Sequence, residues 1–160
     1  MAPTVRPLED RDRDPVVALS LRAWAPVFAS MERMLGPSGV FAALYPDWRA
    51  EQRRAVEAAL AGARMHVWVA EVDGVVAGFV AAILADETVG EVHMVAVDPP
   101  LQRRGIATAL LDVATAWIAG QGRPVALIST GGDPGHAPAR RAYERAGFTA
   151  LPAVNYFRKL

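Results

Sequence analysis

The spacing of apolar positions changes several times along the chain, and each change marks a predicted helix or strand. Apolar residues three or four positions apart predict one helix ahead of Pro26 and a second helix over 48–61, which Gly62 ends. Between these helices Pro26, Gly36-Pro37 and Gly39 predict a broken stretch. Runs of β-forming residues predict strands at 4–6, 65–72, 75–84, 89–97, 125–129 and 154–159.

The segments between the strands predict how they connect. Asp73-Gly74 is a strong signal for a hairpin turn. Pro99-Pro100 ends the strand at 89–97, because proline has no N–H for ladder pairing, and a helical stripe begins after Gly105. A loop at 131–135 leads into the last helix. The order β-α-α-β-β-β-α-β-α-β predicts a three-layer α+β fold with a mixed, mostly antiparallel sheet, helices on both faces and a buried strand at 125–129.

Length and composition limit the number of domains and the classes of partner and cofactor. The chain has 160 residues, which predicts a single domain over 1–160. Its 17 basic and 17 acidic residues give no net field to hold nucleic acid or an anionic membrane. The lack of cysteine excludes disulfides, thiolate metal sites and a cysteine nucleophile, and the three histidines have no metal-ligand spacing, so no metal is expected. Without a signal peptide or an apolar run of membrane-spanning length, a cytoplasmic protein is expected.

The loop and helix start at 102–108 have the chemistry of an anion site. The first turn of a helix has amide N–H groups without intrahelical partners and a partial positive charge. Arg103 and Arg104 add positive charge, and Gly105 lets the backbone approach a ligand closely. These features predict a site for a pyrophosphate.

Two motifs resemble one known family. Gln102-Arg103-Arg104-Gly105-Ile106-Ala107 resembles the Gln/Arg-x-x-Gly-x-Gly/Ala signature of the GNAT superfamily of N-acetyltransferases. His136-x-x-Ala139-x-x-x-Tyr143-x-x-x-Gly147-Phe148 is similar to the family's C-terminal helix, with His136 in place of the usual Asn. The resemblance covers roughly residues 4–159. It implies a sheet of six to seven strands, splayed between the fourth and fifth strands, and direct transfer of acetyl from acetyl-CoA to an amine.

In the family that these motifs resemble, the fourth strand is bulged and the pantetheine arm of the cofactor pairs with its backbone. The resemblance therefore implies pairing at Val95 and Val97, with a free amide near Val95 for the acetyl oxygen. The predicted cofactor-binding residues are Val95, Ala96, Val97, Gln102, Arg103, Arg104, Gly105, Ile106, Ala107, Thr108 and His136.

The predicted catalytic residues are Glu91, His93 and Tyr143. Strand alternation puts Glu91 and His93 on one face with Val95, unless a bulge shifts the count. Two polar groups on an apolar strand are costly without a function, so either Glu91 or His93 is a candidate for the base that deprotonates the amine. Ordered water is the alternative base. Tyr143 is the candidate acid for the departing thiolate, or else a packing residue of an apolar stripe.

The acceptor pocket is the least defined part of the prediction. Large apolar residues ahead of the second helix supply the candidates Trp24, Phe28, Phe41 and Tyr45, of which the first two fit a core and the last two a pocket. No acidic run marks a polycationic acceptor, so small amines, amino acids, peptides and protein N-termini or lysines stay open. The competing hypothesis is a non-catalytic acyl-CoA-binding sensor domain. For either function, a monomer or a homodimer is expected.

Overall fold

A five-stranded sheet forms the middle layer of the protein in this computed structural model, which describes residues 2–160. The strands lie in chain order across the sheet, and the first four are antiparallel while the fifth runs parallel to the fourth. They are β1 (Thr4–Pro7), β2 (His66–Val72), β3 (Val75–Leu84), β4 (Val89–Val97) and β5 (Val125–Ile128). The predicted mixed, mostly antiparallel sheet is confirmed.

Helices cover both faces of the sheet, as predicted. They are α1 (Arg13–Leu35), α2 (Val40–Leu44), α3 (Trp48–Ala61), α4 (Ile106–Gly120) and α5 (Ala137–Arg145). One core joins α1 and α3 to the sheet around Val16, Val56 and Phe79, and the other joins α4 to the opposite face around Val80 and Leu110. None of the helices found in residues 2–160 is long and apolar enough to cross a bilayer.

The β2–β3 turn and both ends of α3 lie where the sequence predicts them. Asp73 and Gly74 both have positive φ, 52° and 77°, which matches the twist of a two-residue hairpin between β2 and β3. Helix α3 has the predicted bounds because the Asp47 carboxylate accepts a hydrogen bond from the Ala50 N–H, 3.1 Å away, and Gly62 leaves the helical conformation at the other end.

The predicted break at Pro26 is wrong, because α1 continues through this residue to Leu35. Proline costs the helix one backbone hydrogen bond. The helix tolerates this loss because buried residues lie on both sides of the proline, with Val16 and Leu19 before it and Phe28 and Ser30 after it. Tertiary packing on both sides therefore outweighs a local break signal.

The predicted six to seven strands are too many. Residues 154–159 form no strand, and the last residues are exposed, with Tyr156 at 92%. Instead of pairing with β5, the chain end places the Lys159 side chain beside Gly39. β5 is therefore an edge strand rather than a buried one, and its alternate residues Val125 and Leu127 are 46% and 45% exposed.

Gly78 of β3 is a test of the contact between sheet and helix. A Cβ there would lie 2.7 Å from the carbonyl oxygen of Ala96 and 3.1 Å from Leu110 Cδ1, so backbone atoms would have to move. We expect Gly78→Ala to lower the free energy of unfolding by about 1–3 kcal/mol in urea titrations. Gly120→Ala at the end of α4 is the control, since its Cβ would meet nothing within 4 Å. Equal stability of the two variants would refute this account of the packing.

Candidate functional site

The site begins with a β-bulge in β4. Ala81 of β3 pairs with Met94, but the next residue, Ala82, pairs with Val92, so His93 is an extra residue in β4. A bulge leaves this residue without a ladder partner and changes which face the following side chains take.

Side chains after the bulge do not continue the alternation of those before it. Val92, Val95 and Val97 all pack on the α4 side of the sheet, whereas Met94 and Ala96 pack on the α1 side. The bulge therefore shifts the count, and Glu91 does not share a face with Val95 and Val97, which is the exception that the alternation argument allowed. Glu91 is next to Val92 along the strand and lies on the opposite, α1 side.

The bulge also changes the direction of the backbone hydrogen bonds. Before it, even-numbered residues face β5, since the Val125 N–H donates to the Thr88 carbonyl at 3.2 Å. After it, even-numbered residues face β3, since the Asp98 N–H donates to the Ala77 carbonyl at 2.8 Å. Because pairing in an antiparallel ladder alternates, the N–H groups of Val95 and Val97 point away from β3, toward β5.

Strand β5 does not extend far enough to pair with these groups. Its pairing with β4 ends at Val92 and Ile128, so residues 93–97 of β4 border an open gap. This gap is part of a cleft of about 530 Å³ that α1, α4 and α5 also line. Thirteen of the predicted site residues line the cleft, namely Trp24, His93, Val95, Ala96, Val97, Gln102, Arg103, Gly105, Ile106, Ala107, Thr108, His136 and Tyr143.

The N-terminus of α4 is built as predicted, with open backbone amides. Arg103 and Gly105 both take left-handed backbone conformations, with φ of 63° and 76°, and such turns direct consecutive N–H groups to one side. The Gln102 side-chain amide donates to the Val97 carbonyl at 3.1 Å, which fixes this loop to the end of β4. Arg104 is exposed and lies outside the cleft lining.

His93 and Glu91 form a pair at the inner end of the gap. The His93 Nδ1 lies 3.3 Å from the Glu91 Oε1, and only the histidine lines the cleft. When Nδ1–H donates to this carboxylate, the lone pair of the imidazole lies on Nε2. The pair is half-exposed, with 40% and 33% of the two side chains accessible.

Tyr143 lies on the α5 wall of the cleft, where its ring packs against the α4 core and, edge to face, against Phe148 at 6.3 Å. Burial raises the pKa of Tyr143 to about 12, because the phenolate would lose its hydration. The hydroxyl therefore remains protonated at neutral pH and is available as a donor.

A polar network that the sequence analysis missed holds His136. Its Nδ1 bonds the Asp133 carboxylate, which also accepts from the Ser30 hydroxyl of α1 at 2.7 Å and from the Gly135 N–H at 3.0 Å. Burial alone would raise the pKa of Asp133, but the hydrogen bonds from Ser30 and His136 outweigh it and lower the pKa. The local sequence signal for the contact between Asp133 and His136 is their spacing of three residues at a helix start. No residue near Ser30 in the sequence indicates that its hydroxyl bonds Asp133.

The predicted acceptor residues separate into two groups. Trp24 lines the cleft, whereas Phe28, Phe41 and Tyr45 do not. These three form an aromatic cluster with Trp48, in which Phe28 stacks on Trp48 at 4.4 Å and meets Tyr45 edge-on at 5.3 Å. Phe28 and Phe41 of this cluster are buried.

The structure shows no candidate metal site in the part of the chain that it describes. Within residues 2–160, no three His, Asp or Glu side chains lie close enough together to hold a metal ion.

Comparisons with known proteins agree with this architecture. A model of the acetyltransferase (GNAT) family matches residues 31–148. A mycothiol acetyltransferase of Thermomonospora curvata is 31% identical over 102 residues, which are 64% of this chain but only 34% of that relative. This chain therefore spans about a third of that relative's length.

Solved structures show the same fold. A protein described as a GNAT-family acetyltransferase from Desulfovibrio desulfuricans has a TM-score of 0.73 at 24% identity, covering 98% of this chain and 92% of its own. AAC(6')-Iy in complex with the bisubstrate analogue CoA-S-monomethyl-acetylneamine has a TM-score of 0.63 at 18% identity, covering 100% of this chain and 99% of its own. Since the family model matches well over half of the sequence, the chain belongs to the acetyltransferase (GNAT) family.

Proposed function

We propose that this protein is an acetyl-CoA-dependent N-acetyltransferase in which an acceptor amine attacks the thioester directly. The observation that carries the proposal is the gap beside residues 93–97 of β4, which leaves backbone N–H groups unpaired next to the open amides of α4. A gap of this kind fits an extended arm with amide groups at one end and a diphosphate at the other.

Each part of the cofactor has a matching surface in the cleft. The amides of the pantetheine arm pair with the backbone of Val95 and Val97, much as an added strand would. The diphosphate accepts hydrogen bonds from the first-turn amides at 106–108, and Arg103 supplies positive charge. The Val95 N–H is then the donor to the acetyl oxygen, and His136, which lines the cleft ahead of α5, contacts the arm through Nε2 on this proposal.

The reaction requires one base and one acid. The Nε2 of His93, oriented by Glu91, takes a proton from the acceptor ammonium, and the freed lone pair attacks the thioester carbon. The Val95 N–H stabilises the resulting oxyanion. As the carbon–sulfur bond breaks, the Tyr143 hydroxyl gives its proton to the CoA thiolate, and the attacking nitrogen loses its second proton to solvent. Solvent then takes the proton from the His93 imidazolium and returns one to the Tyr143 phenolate. The products are the acetylated amine and CoA.

The acceptor is a primary amine on this proposal, whether it belongs to a small molecule, an amino acid, a peptide or a protein. The alternative of a non-catalytic acyl-CoA sensor needs the same cofactor surface but no acid or base. His93 and Tyr143 both line the cleft, which favours the enzyme.

Acetyl-CoA binding and turnover provide the direct test of the function. Acetyl-CoA at about 100 times its dissociation constant should stabilise the protein by roughly 2.7 kcal/mol, and primary amines should then release free thiol. Gly105→Glu should abolish the stabilisation, because a carboxylate would face the diphosphate, whereas Gly105→Asn keeps the left-handed conformation without charge and is the control. Stabilisation without thiol release from any amine would support the sensor, and unchanged affinity in Gly105→Glu would exclude this loop as the diphosphate site.

The two candidates for the base give different kinetic results. We expect His93→Gln to lower kcat/KM by about 10²-fold or more, and Glu91→Gln to lower it less, since Glu91 acts through the histidine ring. His66→Gln on β2 is the control, since His66 is outside the cleft lining. A larger loss for Glu91→Gln than for His93→Gln would reverse the two roles, and normal rates in both would indicate deprotonation by water.

Tyr143→Phe separates acid catalysis from packing. The phenylalanine ring keeps the contact with Phe148, so the dissociation constant of acetyl-CoA should stay within a few-fold, while kcat falls by about 10- to 100-fold. Tyr45→Phe removes a hydroxyl from the aromatic cluster outside the cleft and should leave kcat unchanged. Weaker cofactor binding at an unchanged kcat would instead make Tyr143 a packing residue.

A further inference from the structure

The α1 wall of the cleft has an apolar surface. Ala23, Trp24, Pro26 and Val27 line it, and none of them carries a charge. Trp24 is only half-buried, so part of its ring is open to a bound molecule. An apolar wall of this kind stabilises a bound substrate by removing alkyl or aryl surface from water.

The charged side chains that line the cleft are basic. They are Arg103, Arg141 and Arg145, and no Asp or Glu of residues 2–160 is part of the lining. A positive cleft suits the anionic cofactor. A second ammonium group on an acceptor would lack a carboxylate in this lining to replace its lost hydration.

Three carboxylates that adjoin cleft-lining residues already have partners within the protein. Asp98 accepts two hydrogen bonds from the Arg22 guanidinium, at 2.9 and 2.7 Å. Asp133 is held by Ser30, Gly135 and His136. Glu91 contacts the His93 ring. Recruiting any of them for a substrate cation would break an existing contact.

We infer that the acceptor is a monoamine with an apolar alkyl or aryl body, and that polyamines and aminoglycosides are poor substrates. This inference rests on the proposed function and adds the class of acceptor to it. The apolar body lies against Trp24 and Val27, and the single amino group points to His93. Discrimination comes from the second charge, which finds no carboxylate partner in the lining, as much as from the apolar contact.

A matched pair of substrates tests the inference directly. Pentylamine and cadaverine have the same five-carbon chain, but cadaverine has a second ammonium group at its far end. With saturating acetyl-CoA, we expect kcat/KM for pentylamine to exceed that for cadaverine by at least about 10-fold. Spermidine and kanamycin should be poorer substrates still, and phenethylamine should behave like pentylamine.

Two variants of α1 place a carboxylate on different sides of one helix. Val27→Asp adds a negative charge to the apolar wall and should reduce the preference for pentylamine over cadaverine at least several-fold. Ala29→Asp is the control, because Ala29 is exposed and outside the cleft lining, and it should leave the preference unchanged. Stabilisation by acetyl-CoA shows that each variant is folded.

The outcomes separate this inference from the proposed function. Equal or better use of cadaverine by the unmodified protein would overturn the inference and leave the acetyltransferase activity standing. That comparison needs no variant, so it decides the question even when Val27→Asp does not fold. Binding of acetyl-CoA with no thiol release from any amine would overturn both.

Discussion

The extra residue in β4 is the constraint on which the site depends. In an uninterrupted strand, odd-numbered residues would bond to β3 along the whole length of β4. The N–H groups of Val95 and Val97 would then donate hydrogen bonds to β3. One inserted residue at His93 reverses this phase and turns those N–H groups toward the gap. The same residue carries the imidazole that lines the cleft. The predicted base and the predicted oxyanion donor are therefore fixed relative to each other by a single irregularity of backbone pairing.

Helix α1 packs on the sheet through the core around Val16 and Phe79, and two polar contacts also hold it beside the cleft. Arg22 bonds Asp98 at the end of β4, and Ser30 bonds Asp133 ahead of α5. The first contact is more than half exposed on the arginine side, so it stabilises the fold by less than about 1 kcal/mol. The second is largely buried, and Asp133 with a lowered pKa stays charged well below neutral pH. Their main effect is to set the position of α1 across the gap, between the sheet and α5.

The sequence alone predicted elements whose signals are local and failed where distant packing decides. The turn at Asp73-Gly74, the helix after Asp47 and the open helix start at Gly105 each follow from the conformations that a few neighbouring residues allow. The position of the bulge depends on pairing with β3, and neither neighbour of His93 in β4 is a glycine or proline that would mark it. The break at Pro26 and the strand at 154–159 were wrong because burial of Phe28 and the contact of Lys159 with Gly39 lie outside any local window. The Ser30 contact with Asp133 joins residues 103 positions apart.

On the proposed function, positive charge in the cleft has opposite consequences for the cofactor and for the acceptor amine. Arg103 and the open amides of α4 favour a diphosphate, and the neutral Tyr143 hydroxyl can protonate a thiolate without bringing another anion into the site. An acceptor amine enters the same cleft as an ammonium cation, and the positive side chains there do not stabilise it before its proton has passed to a base. The cleft therefore offers it apolar contact with α1 in place of charge pairing. Because a second ammonium group would have neither a base to take its proton nor a carboxylate in the lining to pair with, we expect the same lack of acidic groups that suits the cofactor to limit which amines can follow it.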